Sequence, residues 1–184
     1  MDNFIRKKMK INLGCGNDYK EGYVNIDSSK DVKPDKVWNL EKTPLPFKDN
    51  SVEEIIANHV LEHVQNFIPL MNDLWRICKK NSLIKIKVPF YSSWGQFNDP
   101  THVRFFTPFT FDYFCKFGVY SHEVGAKKEM FNKKKVKINF GIGSTSILNW
   151  LFNPILNLNH KFYCRFFAWI FPASEIEFEL QVIK

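Results

Sequence analysis

Three stretches of this chain hold residue types that can do chemistry. The first is Ile11–Asp27, INLGCGNDYKEGYVNID. Gly14 and Gly16 have no Cβ, so the backbone there can turn tightly and come close to a ligand. Asp27 ends the next apolar run, where a carboxylate can accept both hydroxyls of a ribose. The second stretch is Asn58–His63, NHVLEH, with His59, Glu62 and His63 close together. The third is NDPTHVRFF, in which Asp99 precedes His102 by three residues and Arg104 follows. A histidine titrates near neutrality, and with an acid to orient it the ring can take a proton from a hydroxyl. Glu62 suits the start of a helix, where a carboxylate accepts from backbone N–H groups. Cys15 sits in the glycine turn because a small side chain packs there, and it is not read as a nucleophile.

These residues need elements to hold them. Met9–Leu13 reads as a strand, Gly14–Gly22 as turn and connection, and Tyr23–Asp27 as a second strand. The connection is near the shortest that parallel strands allow, so it has room for one or two helical turns. Lys36–Leu40 and Glu54–Asn58 read as strands on either side of a proline-rich loop, Glu41–Asn50. Phe67–Lys79 places Phe67, Leu70, Met71, Leu74 and Ile77 at helical spacing, and Lys80-Asn81 reads as a turn. Ser82–Val88 alternates apolar residues with lysine, as a strand with one wet face does. Pro89–Pro108 is a long aromatic loop, and loops of that length inside compact domains tend to be functional. Thr107-Pro108 opens a helix running to about Phe117, and Lys134–Phe140 and Glu175–Ile183 are the closing strands.

Between the closing strands, apolar residues recur at 147, 151, 155, 158, 162, 166 and 170, opposite Asn149, Asn153, Asn157, Lys161 and Arg165. That is a helical period over 147–171, broken or kinked at Pro154. Its apolar side is expected to cover one end of the sheet. Its tryptophans and nearby lysines also suit a membrane interface, although the asparagine-rich polar side is poor in lysine. Alternating strands and helices, the glycine turn after the first strand and an antiparallel ending predict an α/β fold. It is Rossmann-like, a doubly wound, mostly parallel sheet with helices on both faces, in a single domain over 1–184.

The composition narrows the class. The 184 residues are 45% hydrophobic and 24% charged, which is globular rather than disordered. The 19 phenylalanines lie mostly after Lys87, so aromatic-lined surfaces belong to the second half. The net charge of +7, concentrated in Arg6–Lys10 and Lys127–Lys137, suits solvated faces or an anionic partner. The four cysteines have neither metal-ligand nor redox spacing, and the opening MDNFIRKKMKI has no signal-peptide run. These point to reduced thiols in a cytoplasmic protein. The uncharged run Ile138–Asn159 holds too many asparagines and glycines for a transmembrane helix.

Taken together, LGCGND, NID, WNLEKTPLPF, IIANHVLEHV and the closing strand resemble the class I S-adenosylmethionine-dependent methyltransferases, in the small type 11-like branch. The resemblance implies a seven-stranded-type sheet with an antiparallel C-terminal strand, and S-adenosylmethionine as cofactor with S-adenosylhomocysteine as product. It implies Leu13, Gly14, Cys15 and Gly16 beneath the methionine part of the cofactor and Asp27 on its ribose hydroxyls. It also implies Asn39 and Leu40 beside the adenine, and Asn58 and His59 near the sulfonium; His63, one turn on, is placed to point back at the cleft, as a cofactor contact or a competing base, or else to bond backbone at the helix start. Many relatives carry an acid where Asn39 stands. The third glycine of a dinucleotide fingerprint is missing, which argues against an NAD enzyme and fits a cofactor without a pyrophosphate.

For catalysis the candidates are His59 and the pair Asp99–His102, with no metal ligands assigned. The expected reaction is transfer to a small-molecule or glycan-type acceptor, at oxygen, with the aromatic loop enclosing that acceptor and the 147–171 helix walling its pocket. An RNA acceptor competes, since the chain is basic. However, NHVL stands where an NPPY-type base-flipping motif would be needed. A non-catalytic cofactor-binding protein is the third reading.

Overall fold

The computed structural model describes residues 9–115 and 129–184. Seven strands form one sheet: β1 (Met9–Leu13), β2 (Val24–Asp27), β3 (Lys36–Val37), β4 (Val52–Asn58), β5 (Cys78–Pro89), β6 (Phe131–Asn139) and β7 (Glu175–Val182). Their spatial order is β3-β2-β1-β4-β5-β7-β6. The first five strands are mutually parallel, and β7 runs antiparallel to both β5 and β6. The chain order reverses between β1 and β4, a switch point where the loops after two strands diverge and leave a crevice.

One face of the sheet is apolar, with Ile11, Leu13, Ile55, Ala57, Ile84 and Phe178 all buried. Against it lies α1 (Phe67–Ile77), whose Phe67, Leu70, Met71, Leu74 and Ile77 form the expected inward stripe. Phe106, Phe111, Phe114 and Phe131 extend this core edge to face. The wet side expected of β5 continues across the neighbouring strands as a lattice of ion pairs. Glu54 takes Lys10 at 3.0 Å and Lys85 at 2.7 Å, and Lys87 reaches Glu175 at 3.3 Å and Glu177 at 3.6 Å.

Several local expectations change. No helix forms between β1 and β2. Buried Asn12 and Asn25 hold that connection instead: Asn12 Nδ2 donates to the Asp18 carbonyl at 2.8 Å, and Asn25 Oδ1 accepts the Lys20 N–H at 2.8 Å. α1 ends at Ile77 because β5 begins at Cys78. The turn expected at Lys80-Asn81 therefore lies inside a strand, with Asn81 at φ 65°. The helix expected from Thr107 to about Phe117 is a 3₁₀ turn over Thr110–Phe114, and residues 116 and 117 fall outside the described residues. β3 is only two residues long. The basic segments Arg6–Lys10 and Lys127–Lys137 lie partly outside the described residues.

The 147–171 region departs most. It comprises a 3₁₀ turn, Gly143–Leu148, then α3 (Asn149–Leu156) and α4 (His160–Phe166). Pro154 sits within α3, and the break comes after Leu156, before Asn159 caps α4 by accepting the Phe162 N–H at 3.0 Å. The orientation is the reverse of that expected. Asn157 bonds the N–H and C=O of Ile138, both at 2.8 Å; Asn153 accepts the Phe140 N–H at 2.8 Å; Asn149 accepts the Gly141 N–H at 2.8 Å and donates to its C=O at 3.0 Å. Three asparagines four residues apart thus satisfy the free edge of β6, a row of backbone groups that would otherwise be a pairing template. The polar stripe faces the protein.

Candidate active site

The loop after β1 and the loop after β4 meet at Gly14. Its φ is 58°, and a Cβ there would lie 2.2 Å from Val60 Cγ2. Only glycine allows both the left-handed turn and this contact. Gly16, at φ 47°, would meet nothing within 4 Å, since it faces an open cleft of about 400 Å³. Asp27 closes the turn: its Oδ2 accepts the Gly16 N–H at 2.9 Å and its Oδ1 accepts the Ser29 N–H at 2.9 Å. Each oxygen keeps a lone pair for the cleft, as a ribose diol requires. Cys15 is 3% exposed, and burial raises its thiol pKa, with the Asp27 charge adding to the effect.

Leu40 and Asn39 line the same cleft, as do Trp38 and Ser28. Leu40 is buried, and Asn39 is exposed with its Oδ1 taken by the Glu41 N–H at 2.9 Å. Glu41 in turn accepts from the N–H groups of Gln65 and Asn66, at 2.7 and 2.9 Å, anchoring this wall to the start of α1. Leu13 lies in β1 beneath the turn and is fully buried. A second cleft of about 500 Å³ opens across the Gly14–Gly16 turn and is lined by Asn58, Asp18, Lys87 and Glu175. His59 borders both clefts.

The structure treats the three histidines differently. His59 stands at φ 49° between two carboxylates, with Nε2 3.4 Å from Glu175 and Nδ1 3.4 Å from Glu62. These contacts, Glu175 first, raise its pKa to about 9 against the opposing effect of burial. At neutral pH the ring is therefore a cation with no lone pair to accept a proton. Glu62 is completely buried, and His59 is its counterion.

His63 lines the first cleft and bonds outward through Thr101. Thr101 Oγ lies 2.6 Å from Asp99 Oδ1 and 2.8 Å from His63 Nδ1. An ionised carboxylate only accepts, so the hydroxyl proton points at Asp99 and the hydroxyl oxygen accepts from His63 Nδ1–H. That leaves the lone pair of His63 on Nε2. His102 packs edge-on against His63 at 4.7 Å between centroids, and its Nδ1 faces the Gln96 carbonyl at 3.0 Å. Its Nε2 is 3.8 Å from Asp99, too long for a hydrogen bond. Glu62, His63 and His102 each have a ligand atom within 4.8 Å of the others.

The aromatic loop divides. Phe90 and Phe106 belong to the core, while Trp94 of the short helix α2 (Trp94–Asn98), Phe97 and Phe105 face solvent. Neither group lines the two clefts at the Gly14–Gly16 turn. Arg104 anchors the loop on the Gln65 carbonyl at 3.2 Å and on the Phe67 ring at 4.6 Å, rather than on an acid. The sequence alone does not single out Thr101, Trp38 or Glu175. Thr101 lies inside the DPTH turn, where a hydroxyl commonly bonds the preceding Asp. Glu175 reaches the site only through the pairing of β7 with the end of β5.

The family model described as a methyltransferase domain matches residues 11–86. No curated protein sequence matches the chain. A SAM-dependent methyltransferase from Archaeoglobus fulgidus aligns with a TM-score of 0.64 at 16% identity, over 95% of this chain and 86% of that one. A putative methyltransferase of Haloferax volcanii, solved with the Trm112 methyltransferase activator, aligns at 0.57 and 12% identity over 97% and 84%. The geranyl diphosphate C-methyltransferase of Streptomyces coelicolor, solved with S-adenosyl-L-homocysteine, aligns at 0.57 and 10% over 96% and 74%. At these identities the likeness is one of fold.

Proposed function

We propose that this chain is a class I S-adenosylmethionine-dependent methyltransferase of the type 11 branch and that it methylates a hydroxyl of a small-molecule or glycan-type acceptor, with His63 as the general base. The observation that carries this reading is the hydrogen-bond chain from Asp99 through Thr101 to His63, which puts the lone pair on Nε2 of a histidine that lines the cleft. S-adenosylmethionine supplies an electrophilic methyl on a sulfonium with a good leaving group. The open space over Gly16 and the unused lone pairs of Asp27 fit the ribose of this cofactor. Leu13, Gly14, Cys15 and Gly16 form the floor. Trp38, Asn39 and Leu40 flank the adenine, and Asn58 and His59 lie toward the second cleft, where the methionine end is held.

Holding donor and acceptor collinear accounts for about 7–11 kcal/mol of barrier reduction in reactions of this kind. A base on the acceptor hydroxyl adds a factor of about 10²–10⁴. His63 fills that role better than His59, which the two carboxylates hold protonated, and Asp99 acts on His63 rather than on His102. His102 packs on His63 and keeps its ring in place. We further assign the loop over 89–108 to the acceptor side of one domain spanning 1–184, in a cytoplasmic setting.

The test starts from a labelled-methyl screen over sugar nucleotides, lipids and RNA. Thr101→Val keeps the shape of the site and removes the relay. It is expected to lower kcat about tenfold to a hundredfold and to alter the acid limb of the pH profile, with S-adenosylhomocysteine affinity unchanged by calorimetry. Unchanged kcat in both Thr101→Val and His63→Gln would overturn the assignment of the base. Failure of the parent to bind S-adenosylhomocysteine would overturn the cofactor placement.

A further inference from the structure

The inverted helices α3 and α4 leave an apolar surface without a partner among the described residues. Because the asparagine stripe is committed to the β6 edge, the opposite stripe must face outward. Leu158 is 82% exposed, Trp150 74%, Trp169 66% and Phe162 55%. Of the twenty large hydrophobic residues exposed among those described, twelve lie within 147–171. Single exposed apolar side chains need no explanation, but a contiguous set of this size marks an interaction surface. The patch continues onto the acceptor-side loop: Trp169 lies 6.4 Å from Phe97 and 5.6 Å from Tyr91, ring to ring, and Phe97 lies 5.5 Å from Phe105.

We propose that this face seats the protein on an anionic lipid bilayer, with α3 and α4 lying in the plane of the interface. The charge pattern selects this occupant. From Met130 to Ser174 the chain has six lysines and arginines and no aspartate or glutamate; Lys133 pairs with Asp112 and Lys135 lies 3.8 Å from Glu177 and Glu179, so the basic residues of the patch itself are Lys161 and Arg165. Lys161 and Arg165 stand exposed on α4 among the apolar residues, in no ion pair among the described residues. Arg165 also lies over the Phe166 ring at 5.6 Å, an arrangement that lets an arginine keep its charge at an apolar boundary. Basic residues interleaved with tryptophan and phenylalanine are what headgroup and acyl boundaries attract.

Two alternatives fit less well. A second copy docked symmetrically through α3 and α4 would bring Lys161 and Arg165 of both chains together on helices that carry no acid, so like charges would meet. A membrane-crossing arrangement is not available to these elements, since α3 has eight residues and α4 seven. The loop that borders the patch also holds Asp99, Thr101 and His102. Thr101 of that loop bonds His63, which lines the first cleft, so an acceptor carried by the bilayer would reach the site from that side.

The test is flotation of the whole chain with large vesicles, either pure phosphatidylcholine or phosphatidylcholine mixed equally with phosphatidylglycerol. The parent is expected to float with the mixed vesicles and to be released by high salt. Leu158→Glu/Phe162→Glu is expected to lower partitioning at least about tenfold. Lys161→Glu/Arg165→Glu is expected to reduce the preference for the anionic vesicles, by about fivefold for each basic residue removed. All four positions are exposed, so circular dichroism and melting temperature should match the parent and separate lost docking from misfolding. Failure of the parent to float with anionic vesicles would overturn the proposal, as would undiminished flotation of Leu158→Glu/Phe162→Glu. So would a parent that sediments as a dimer without lipid and becomes monomeric in that variant, because the face would then belong to a second copy.

Discussion

Adding one methyl group at Gly14 and at Gly16 should have opposite consequences, although only Cys15 separates them and both have positive φ. At Gly14 two costs add. An L-residue at φ 58° costs about 1–2 kcal/mol. The new Cβ would also fall 2.2 Å from Val60 Cγ2 and 2.6 Å from its Cβ, and forcing an extra carbon into a filled space typically costs about 1–3 kcal/mol. Val60 is branched at Cβ and half-buried, so it cannot swing away as the end of a flexible chain would. The sum for Gly14→Ala is about 2–5 kcal/mol. At Gly16 only the backbone cost applies, about 1–2 kcal/mol, because nothing lies within 4 Å of the added carbon. That carbon instead occupies the cleft, so Gly16→Ala should keep most of its stability and lose affinity for S-adenosylhomocysteine. Urea unfolding gives the first quantity and calorimetric titration the second. A double-mutant cycle with Val60→Ala should show a coupling of about 1–3 kcal/mol with Gly14→Ala and none with Gly16→Ala. Equal stabilities for the two alanine variants, or no coupling to Val60, would refute the account of this turn.

Three further outcomes follow from the same geometry. Asp27→Asn turns an amide N–H₂ toward the N–H of Gly16 or Ser29 and removes a charge from the ribose site; S-adenosylhomocysteine affinity should fall by about 2–4 kcal/mol in calorimetry, a loss that equal titration curves would disprove. His59 has its folded pKa raised to about 9 from an ordinary 6.5, so its contribution to stability is complete below about 6.5 and disappears as pH rises through 9. Its side chain is 45% exposed, which cuts the gain from the two carboxylates to about 1–2 kcal/mol, and the stability gap between parent and His59→Gln should narrow across that window; a gap independent of pH would contradict it. Asn153→Leu should strip the Phe140 N–H of its partner and cost about 1–3 kcal/mol in urea unfolding, whereas Asn159→Gly, at an exposed cap, should cost a few tenths.

The parts of this structure that were legible in the sequence are those in which one residue type admits few backbone solutions. Gly14 and Gly16 after an apolar run, and Asp27 at the end of the next, specify the turn and its acid because glycine takes those φ values without strain, and at Gly14 no side chain fits against Val60. The strand directions and α1 were legible through their periods of two and 3.6. The missing crossover helix was not. Asn12 and Asn25 look like ordinary strand residues on a polar face until the loop folds back on them. The Asp99–Thr101–His63 chain was hidden for a related reason, since it joins two motifs 38 residues apart.

The reversal at 147–171 shows where amphipathic reasoning needs a second premise. The period itself was correct. The inference from an apolar stripe to an inward stripe assumes that the element meets a hydrophobic core. α3 instead meets the edge of β6, whose unpaired N–H and C=O groups are the more costly surface to leave alone. A helix serving such an edge has to present donors and acceptors together at spacing four, and asparagine does this from one short side chain. The repeat Asn149, Asn153, Asn157 is therefore the sign of a polar partner. Once it is read that way, the apolar stripe needs a partner of its own. The lysines of β6 are matched by Asp112, Glu177 and Glu179, whereas Lys161 and Arg165 stand exposed among the apolar residues of α4, so that stripe is best met by a surface both apolar and anionic.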